Sequence, residues 1–360
     1  MRILLIRLRE IGDVVFTTPA IRGLRQYFPD AHISYVVEPA AAPIVARSPH
    51  LNEVIISPGR RGLAGFRDDL ALAGRLRAER YDLVIDFHSG PRSSLITWLS
   101  RAPRRVGYDV PGRGWMYTTR VARPREIRPR HAVENQWDLL TAIGIAAPDP
   151  SHTPTEMPVD TRATSAVDER LTRFGVRRDD DVIVLHVSAG NPFRRWPLDA
   201  FASLVAMLVR EHPQRRVVVV SGPSEQDAAA RVIAQAQALV DAGTGARVLA
   251  CGEFTLDELR ALMDRAALYI GGDSGPMHIA STSTVPIVGL YGPTLPVRSA
   301  PWRAPHWPSE AADVDGLPCR PCDQRVCVPG DFRCLTWLTP EQVMDAADRA
   351  LTRNAAINRT

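Results

Sequence analysis

The chain of 360 residues contains no lysine, so all 44 of its Lys+Arg side chains are arginine. Part of that reflects compositional bias in the coding genome, and each arginine is correspondingly weaker evidence of function. Every permanent positive charge is nevertheless a guanidinium, with its planar donor fork. Aromatic residues make up only 6% of the chain and form no stacking stripe, which argues against a single-strand nucleic-acid platform. No apolar run approaches the ~20 residues of a membrane span. The opening MRILLIRLREIGD breaks its apolar stretch with Arg7, Arg9 and Glu10, so it lacks the h-region of a signal peptide. It reads as a first strand, and a cytoplasmic address is the expectation. No G-x-G-x-x-G turn follows that strand, which sets aside a dinucleotide site there.

What is present fits a globular α/β protein of two domains, with 45% hydrophobic and 23% charged residues. The charge is uneven. Residues 1–150 carry 22 arginines against 15 acidic residues, and residues 151–360 carry 22 against 25. A basic first half suits an anionic partner or a solvated basic face.

Short apolar runs alternate with amphipathic stretches through both halves, the signature of mostly parallel sheets covered on both faces. In the first half strands are expected at Arg2–Leu8, His32–Glu38, Glu53–Ser57, Leu83–Phe87 and Arg105–Gly107. Two arginine-rich loops interrupt it, Pro58–Gly65 and Asp109–Arg130. Between residues 145 and 160 stand Pro148, Pro150, Pro154 and Pro158, which read as an interdomain linker. The pattern then restarts, with strands expected at Val182–Val187, Arg216–Ser221, Arg247–Ala250, Ala267–Ile270 and Pro286–Tyr291. The domains expected are 1–150, 161–338 and a C-terminal helical segment, 339–360, packing back toward the first domain. Two Rossmann-like halves imply a ligand cleft between their facing sheets.

Four segments carry candidate chemistry. After the first strand, Gly12-Asp13 opens a helix, and Asp13 is either a general base or an N-cap. In 186-HVSAGNPFRRWP-197, Ser188 and Gly190 offer phosphate contacts, and Arg194 and Arg195 can clamp a diphosphate. In 221-SGPSEQD-227, Glu225 bonds ribose hydroxyls or complements a helix dipole. The segment 269-YIGGDSGPMHIASTSTVPIVGLYGPTLP-296 is the most informative. Asp273 and Ser274 are good N-cap residues and Pro276 suits a first helical turn, so free N–H groups would gather at a strand's carboxyl edge. Gly275, Met277, His278 and Thr294 complete the candidate donor set.

Taken together, G-D, S-A-G…R-R-W-P, G-P-S-E, D-S-G-P-M-H and Y-G-P-T resemble the ADP-heptose:lipopolysaccharide heptosyltransferases, the inverting enzymes of glycosyltransferase family 9. The resemblance runs from Met1 to the last helix. It implies the GT-B fold, with the acceptor bound in the N-terminal half and ADP-heptose, or a related nucleotide sugar, in the C-terminal half. It further implies Asp13 as base and Ser188, Glu225, Asp273, Ser274, Gly275 and His278 as donor-binding positions. The family often has a lysine before the W-P pair, where Arg194 and Arg195 stand here. Inverting transfer of this kind needs no cofactor. Arg60, Arg61, Arg113, Arg120 and Arg123 would receive an anionic lipopolysaccharide core acceptor, with peripheral contact to the inner membrane surface.

Four of the five cysteines fall in 319-CRPCDQRVCVPGDFRC-334. Cys319, Cys322, Cys327 and Cys334 suit a structural zinc or iron site, or are free thiols. Cys251 reads as packed core. The competing readings are a related GT-B transferase with another sugar nucleotide or a protein acceptor, a sugar-nucleotide epimerase, and a nucleic-acid module built on the cysteine array. The last would need basic residues near the cysteines, and they lie in the other half.

Overall fold

The computed structural model describes residues 1–60, 62–123, 130–187, 191–322 and 324–357. It divides into two compact units, Met1–Pro158 and Val159–Thr360.

The first unit is built on a parallel sheet of β1 (Arg2–Ile6), β2 (His32–Val37), β3 (Glu53–Ile56), β4 (Leu83–Asp86), β5 (Arg104–Asp109) and β6 (Thr119–Ala122). Their spatial order is β3-β2-β1-β4-β5-β6. After Arg2, central β1 is apolar and fully buried because both faces are covered, as parallel sheets require. Leu4, Ile6, Val36, Ile55, Leu72, Leu76, Val84 and Ile96 form one core cluster. On helix Thr18–Tyr27, Gly23 lets Trp137 pack flat, since a Cβ there would lie 2.4 Å from the indole.

The second unit repeats the plan with β7 (Asp181–His186), β8 (Arg215–Val220), β9 (Val248–Leu249), β10 (Ala266–Gly272), β11 (Ile287–Tyr291) and β12 (Ser309–Asp313), in the order β12-β11-β10-β7-β8-β9. Read from the other edge, this is the connectivity of the first sheet. Each sheet reverses its strand order once, between β1 and β4 and between β7 and β10. Ligands of open parallel sheets bind outside the carboxyl ends of the strands at that reversal.

Three elements depart from the sequence expectation. The Asp109–Arg130 stretch contains β6, and the region after β11 contains β12. Both are edge strands, half polar because they have a neighbour on one side only. Helix Thr161–Arg173 follows the proline-rich segment directly, capped by Asp160, which accepts the Arg162 N–H at 2.9 Å. The segment before it is anchored to the first unit. Glu156 takes an N–H···O bond to Thr18 at 2.8 Å and pairs with Arg22 and His50.

The last helix, Pro340–Ile357, belongs to the second unit. Its apolar face, Val343, Met344, Ala346, Ala347 and Ala350, belongs to the core of the second unit, together with Leu204, Leu208, Ile270 and Leu290. Arg349 and Arg353 fasten it to Glu310 on β12.

Candidate active site

In the first unit the chain leaves β1 through Arg7 and turns at Glu10, whose φ of 67° is a left-handed conformation. Helix Ile11–Val15 starts there, with Glu10 at its N-cap position and Asp13 in its first turn. Asp13 is therefore not the cap. Its carboxylate pairs instead with Arg7, and 36% of the Asp13 side chain stays accessible. Arg7 also donates from Nη1 to the Phe87 carbonyl at 2.8 Å, tying the edge of β1 to that of β4.

The residues after β4 complete this edge, and sequence reasoning missed them. Asp86 is buried and accepts the N–H groups of His88 and Ser89, each at 2.9 Å, and the Tyr117 hydroxyl at 2.7 Å. Burial pushes its carboxyl above the ordinary range. That network holds Ser89 left-handed, at φ 48°, and carries His88 toward the arginines. Burial, then Arg7 and Arg9, depress the His88 imidazole to about 4, against a weaker opposing effect of Asp13. It is neutral at physiological pH. Gly90 makes room for it, because a Cβ would come within 2.5 Å of the ring. A sequence signal was available in D-F-H-S-G, a polar cluster directly after an apolar strand.

The expected acceptor arginines are divided. Arg123 lies over the Tyr108 ring at 5.4 Å and adds to the field that depresses His88. Arg120 sits on edge strand β6, and Arg113 precedes the short turn Gly114–Met116. Arg60 is committed to Asp68 through two bonds of 2.6 Å. Arg61 lies outside the described residues.

In the second unit β10 ends in Gly271-Gly272, and Asp273 follows, only 4% exposed. Its carboxylate lies 3.3 Å from Arg194 Nη1 and 3.4 Å from His278 Nε2. Arg194 Nη1 also donates to the Asp273 carbonyl at 3.0 Å. Burial alone would raise the Asp273 carboxyl, but bonding to His278 and the charge of Arg194 outweigh it and hold the group below the ordinary range. The two neighbouring arginines thus diverge. Arg194 turns to the Asp273 turn. Arg195 lines a cavity of about 460 Å³ with Trp196, Pro197, Ser224, Glu225 and Arg231. Ser188 and Gly190 lie outside the described residues.

Two parts of the expected donor set are corrected. Helix Gly275–Ala280 has six residues, and Ser274 at its N-cap position makes no side-chain cap bond, donating to the Gly272 carbonyl at 3.2 Å instead. So short a helix contributes little macrodipole. Met277 is fully buried, its N–H bonds the Ser274 carbonyl, and its sulfur accepts from Tyr291 at 3.7 Å. Its side chain belongs to the core. Gly275 stays beside the turn, and Thr294 is buried in the loop after β11, its hydroxyl without a partner among the described residues.

The four clustered cysteines are free thiols that line one cavity of about 40 Å³ with Phe193, Arg320 and Phe332. Among the described residues no three His, Cys, Asp or Glu side chains are disposed to hold a metal ion. Cys322 and Cys327 instead accept backbone N–H groups, from Gln324 at 3.3 Å and Phe332 at 3.4 Å. The expected zinc or iron therefore has no tetrahedral thiolate set here. Cys251 is buried, and burial raises its thiol to about 11, as expected of an inert core residue.

The pattern of glycosyltransferase family 9 (heptosyltransferase) matches residues 70–328. The chain belongs to that family. It is 30% identical over 301 residues to lipopolysaccharide heptosyltransferase 3 of Escherichia coli K12, covering 82% of this chain and 83% of that protein. Its fold matches the crystal structure of a family 9 glycosyltransferase from Veillonella parvula, with a TM-score of 0.83, 26% identity, and coverage of 98% and 97%. It also matches the E. coli ADP-heptose lipopolysaccharide heptosyltransferase II, with a TM-score of 0.76, 21% identity, and coverage of 99% and 100%. The chain is a glycosyltransferase with two Rossmann-like units of the GT-B class, as the sequence resemblance implied. No helix among the described residues is long and apolar enough to cross a membrane.

Proposed function

We propose that this glycosyltransferase moves a heptose from ADP-heptose to a hydroxyl of a lipopolysaccharide core acceptor, with inversion. The observation that carries the donor half is the divergence of Arg194 and Arg195. One guanidinium stands at the strand edge beside Asp273, and the other lines, with Glu225, a cavity large enough for a nucleoside. In this reading Glu225 bonds ribose hydroxyls and Arg194 meets the diphosphate. His278 holds the Asp273 carboxylate, and Thr294 offers its unpartnered hydroxyl to the donor.

Asp13 takes the proton of the acceptor hydroxyl. The freed oxygen pair attacks the anomeric carbon, the bond from that carbon to the phosphate oxygen breaks, and ADP leaves with those electrons. Arg194 stabilises the charge that develops on it. The paired, accessible state of Asp13 supports this role, because Arg7 holds the carboxylate in place while one side remains open. Arg9 and Arg123, near His88, supply positive charge for an anionic acceptor. The names of the relatives, lipopolysaccharide heptosyltransferase 3 and ADP-heptose lipopolysaccharide heptosyltransferase II, agree with both substrates.

Peripheral contact with an anionic bilayer is the finer part of the proposal. On helix Gly62–Ala78, Leu63, Phe66 and Leu70 are exposed, Leu63 by 82%, and the exposed charged residues of that helix are arginines, Arg67, Arg75 and Arg77. Apolar side chains flanked by arginine suit an anionic lipid surface. The deciding experiment is mass spectrometry of a truncated core acceptor after incubation with ADP-heptose. A gain of one heptose is expected. No gain with ADP-heptose, but a gain with another ADP- or UDP-sugar, would replace the donor assignment.

A further inference from the structure

Among its described residues the four-cysteine loop shows no metal set, yet it reaches the donor edge through one residue. Gln324 Oε1 accepts two hydrogen bonds at 2.8 Å, from Arg194 Nε and from Asn191 Nδ2. Two donors converging on one atom fix the carboxamide oxygen at that position. The backbone of Gln324 is left-handed, at φ 60°, and its N–H donates to Cys322 Sγ at 3.3 Å. Cys322 N–H in turn donates to the Pro293 carbonyl at 3.3 Å. The rings of Phe193 and Phe332 meet edge to face at 5.3 Å beside this link. Arg194 is thus gripped on two nitrogens, Nη1 by Asp273 and Nε by Gln324, and among the described residues its Nη2 has no partner.

We propose that Gln324 is a positioning residue for the transferase reaction, its carboxamide oxygen fixing the plane of the Arg194 guanidinium so that the free edge faces the donor diphosphate. The cysteine loop is then a brace for the donor site, and Cys322 serves it as a hydrogen-bond acceptor. A guanidinium held on one nitrogen rotates about that bond, whereas one held on two presents its remaining donor in a single direction. The inference rests on the reading that Arg194 meets the diphosphate.

The test is calorimetric titration of ADP into the full-length protein and its Gln324→Ala, Gln324→Glu, Arg194→Ala and Gln324→Ala/Arg194→Ala variants, with thermal unfolding alongside. Gln324→Ala should weaken ADP binding roughly tenfold at an unchanged unfolding midpoint. Gln324→Glu, which keeps an oxygen acceptor for both donors, should bind within about threefold of wild type. The double variant should bind no more weakly than Arg194→Ala, because the two residues act through one guanidinium. Wild-type affinity in Gln324→Ala while Arg194→Ala is weakened would overturn the brace and leave the donor reading standing. So would additive losses in the double variant, or a loss in Gln324→Ala that tracks a fall in the unfolding midpoint. Wild-type affinity in Arg194→Ala would instead remove the diphosphate role of Arg194, and the inference with it.

Discussion

The two sheets share one connectivity, yet the carboxylates at their reversal points are treated in opposite ways. Asp13 at the β1 edge is part-exposed and paired with Arg7 alone. Asp273 at the β10 edge is buried between Arg194 and His278, with its main-chain carbonyl bonded as well. A carboxylate with one partner and one open side can accept a proton from a ligand. One enclosed by two partners orients them and stays ionised. Strand ends flanking the same reversal thus carry the proposed base in one unit and a buried anchor in the other, and the surroundings decide which role each carboxylate can take.

Removing each carboxylate should separate these roles. Asp13→Ala is expected to lower turnover about a thousandfold with a wild-type unfolding midpoint, measured as initial rates at saturating donor and acceptor beside thermal unfolding. Turnover near wild type would end its assignment as the base. Asp273→Ala should act the other way, because it leaves the Arg194 guanidinium and His278 without the carboxylate between them. Breaking such a buried pair costs about 3 kcal/mol, readable as a lower denaturation midpoint in urea. An unchanged midpoint would show that the anchor role is misplaced. The Asp273 carboxyl is held below its ordinary value. Its contribution to stability is therefore complete above the unfolded value near pH 4 and is lost as pH falls through the lower folded value. In Asp273→Asn the decline below about pH 4 should be shallower.

His88 extends the comparison to the imidazoles. Its folded value of about 4 lies below the unfolded value near 6.5. Between those values the unfolded chain binds a proton that the folded chain excludes, so stability falls as pH drops from about 6.5 to about 4. In His88→Gln that part of the decline should disappear, as followed by the unfolding midpoint against pH. An identical slope in both proteins would mean that the imidazole is already protonated in the folded state.

How much of this was legible in the sequence follows from the range of the interactions. Asp13 and Asp273 could be placed because an apolar run ending in a glycine or a polar turn marks a strand's carboxyl edge. The pairing of Asp13 with Arg7 could be seen only once the backbone turned at Glu10. Arg7 meeting the Phe87 carbonyl joins strands eighty residues apart in sequence, and nothing local announces that neighbour. Arg194 and Arg195 are adjacent, and residue type cannot say which faces the turn; the fold sends them to different sites. Met277 looked like a ligand contact because it sits within D-S-G-P-M-H, although its side chain points into the core. Strands β6 and β12 escaped because an edge strand needs only part of the apolar pattern. Helix Thr161–Arg173 had a signal, with Asp160 as cap and Ala163, Val167 and Leu171 spaced by four, but its many charged residues masked it.

The smallest expected effect separates two arginines that the sequence treated alike. Arg60 is bonded twice to Asp68, so its charge is already matched by the helix that follows its loop. Arg123 rests on the Tyr108 ring and among the described residues has no acidic partner, while its field reaches His88 at the β4 edge. An exposed, matched pair contributes little to anything that binds nearby. An unmatched guanidinium near His88 can add to the attraction of an anionic acceptor. Arg123→Ala should therefore raise the acceptor KM about fivefold with kcat unchanged, and the effect should shrink as salt is added. Arg60→Ala should change the acceptor KM by less than about twofold. Equal effects of the two substitutions would mean that the acceptor is drawn by the overall charge of the first unit and not by the edge of β4.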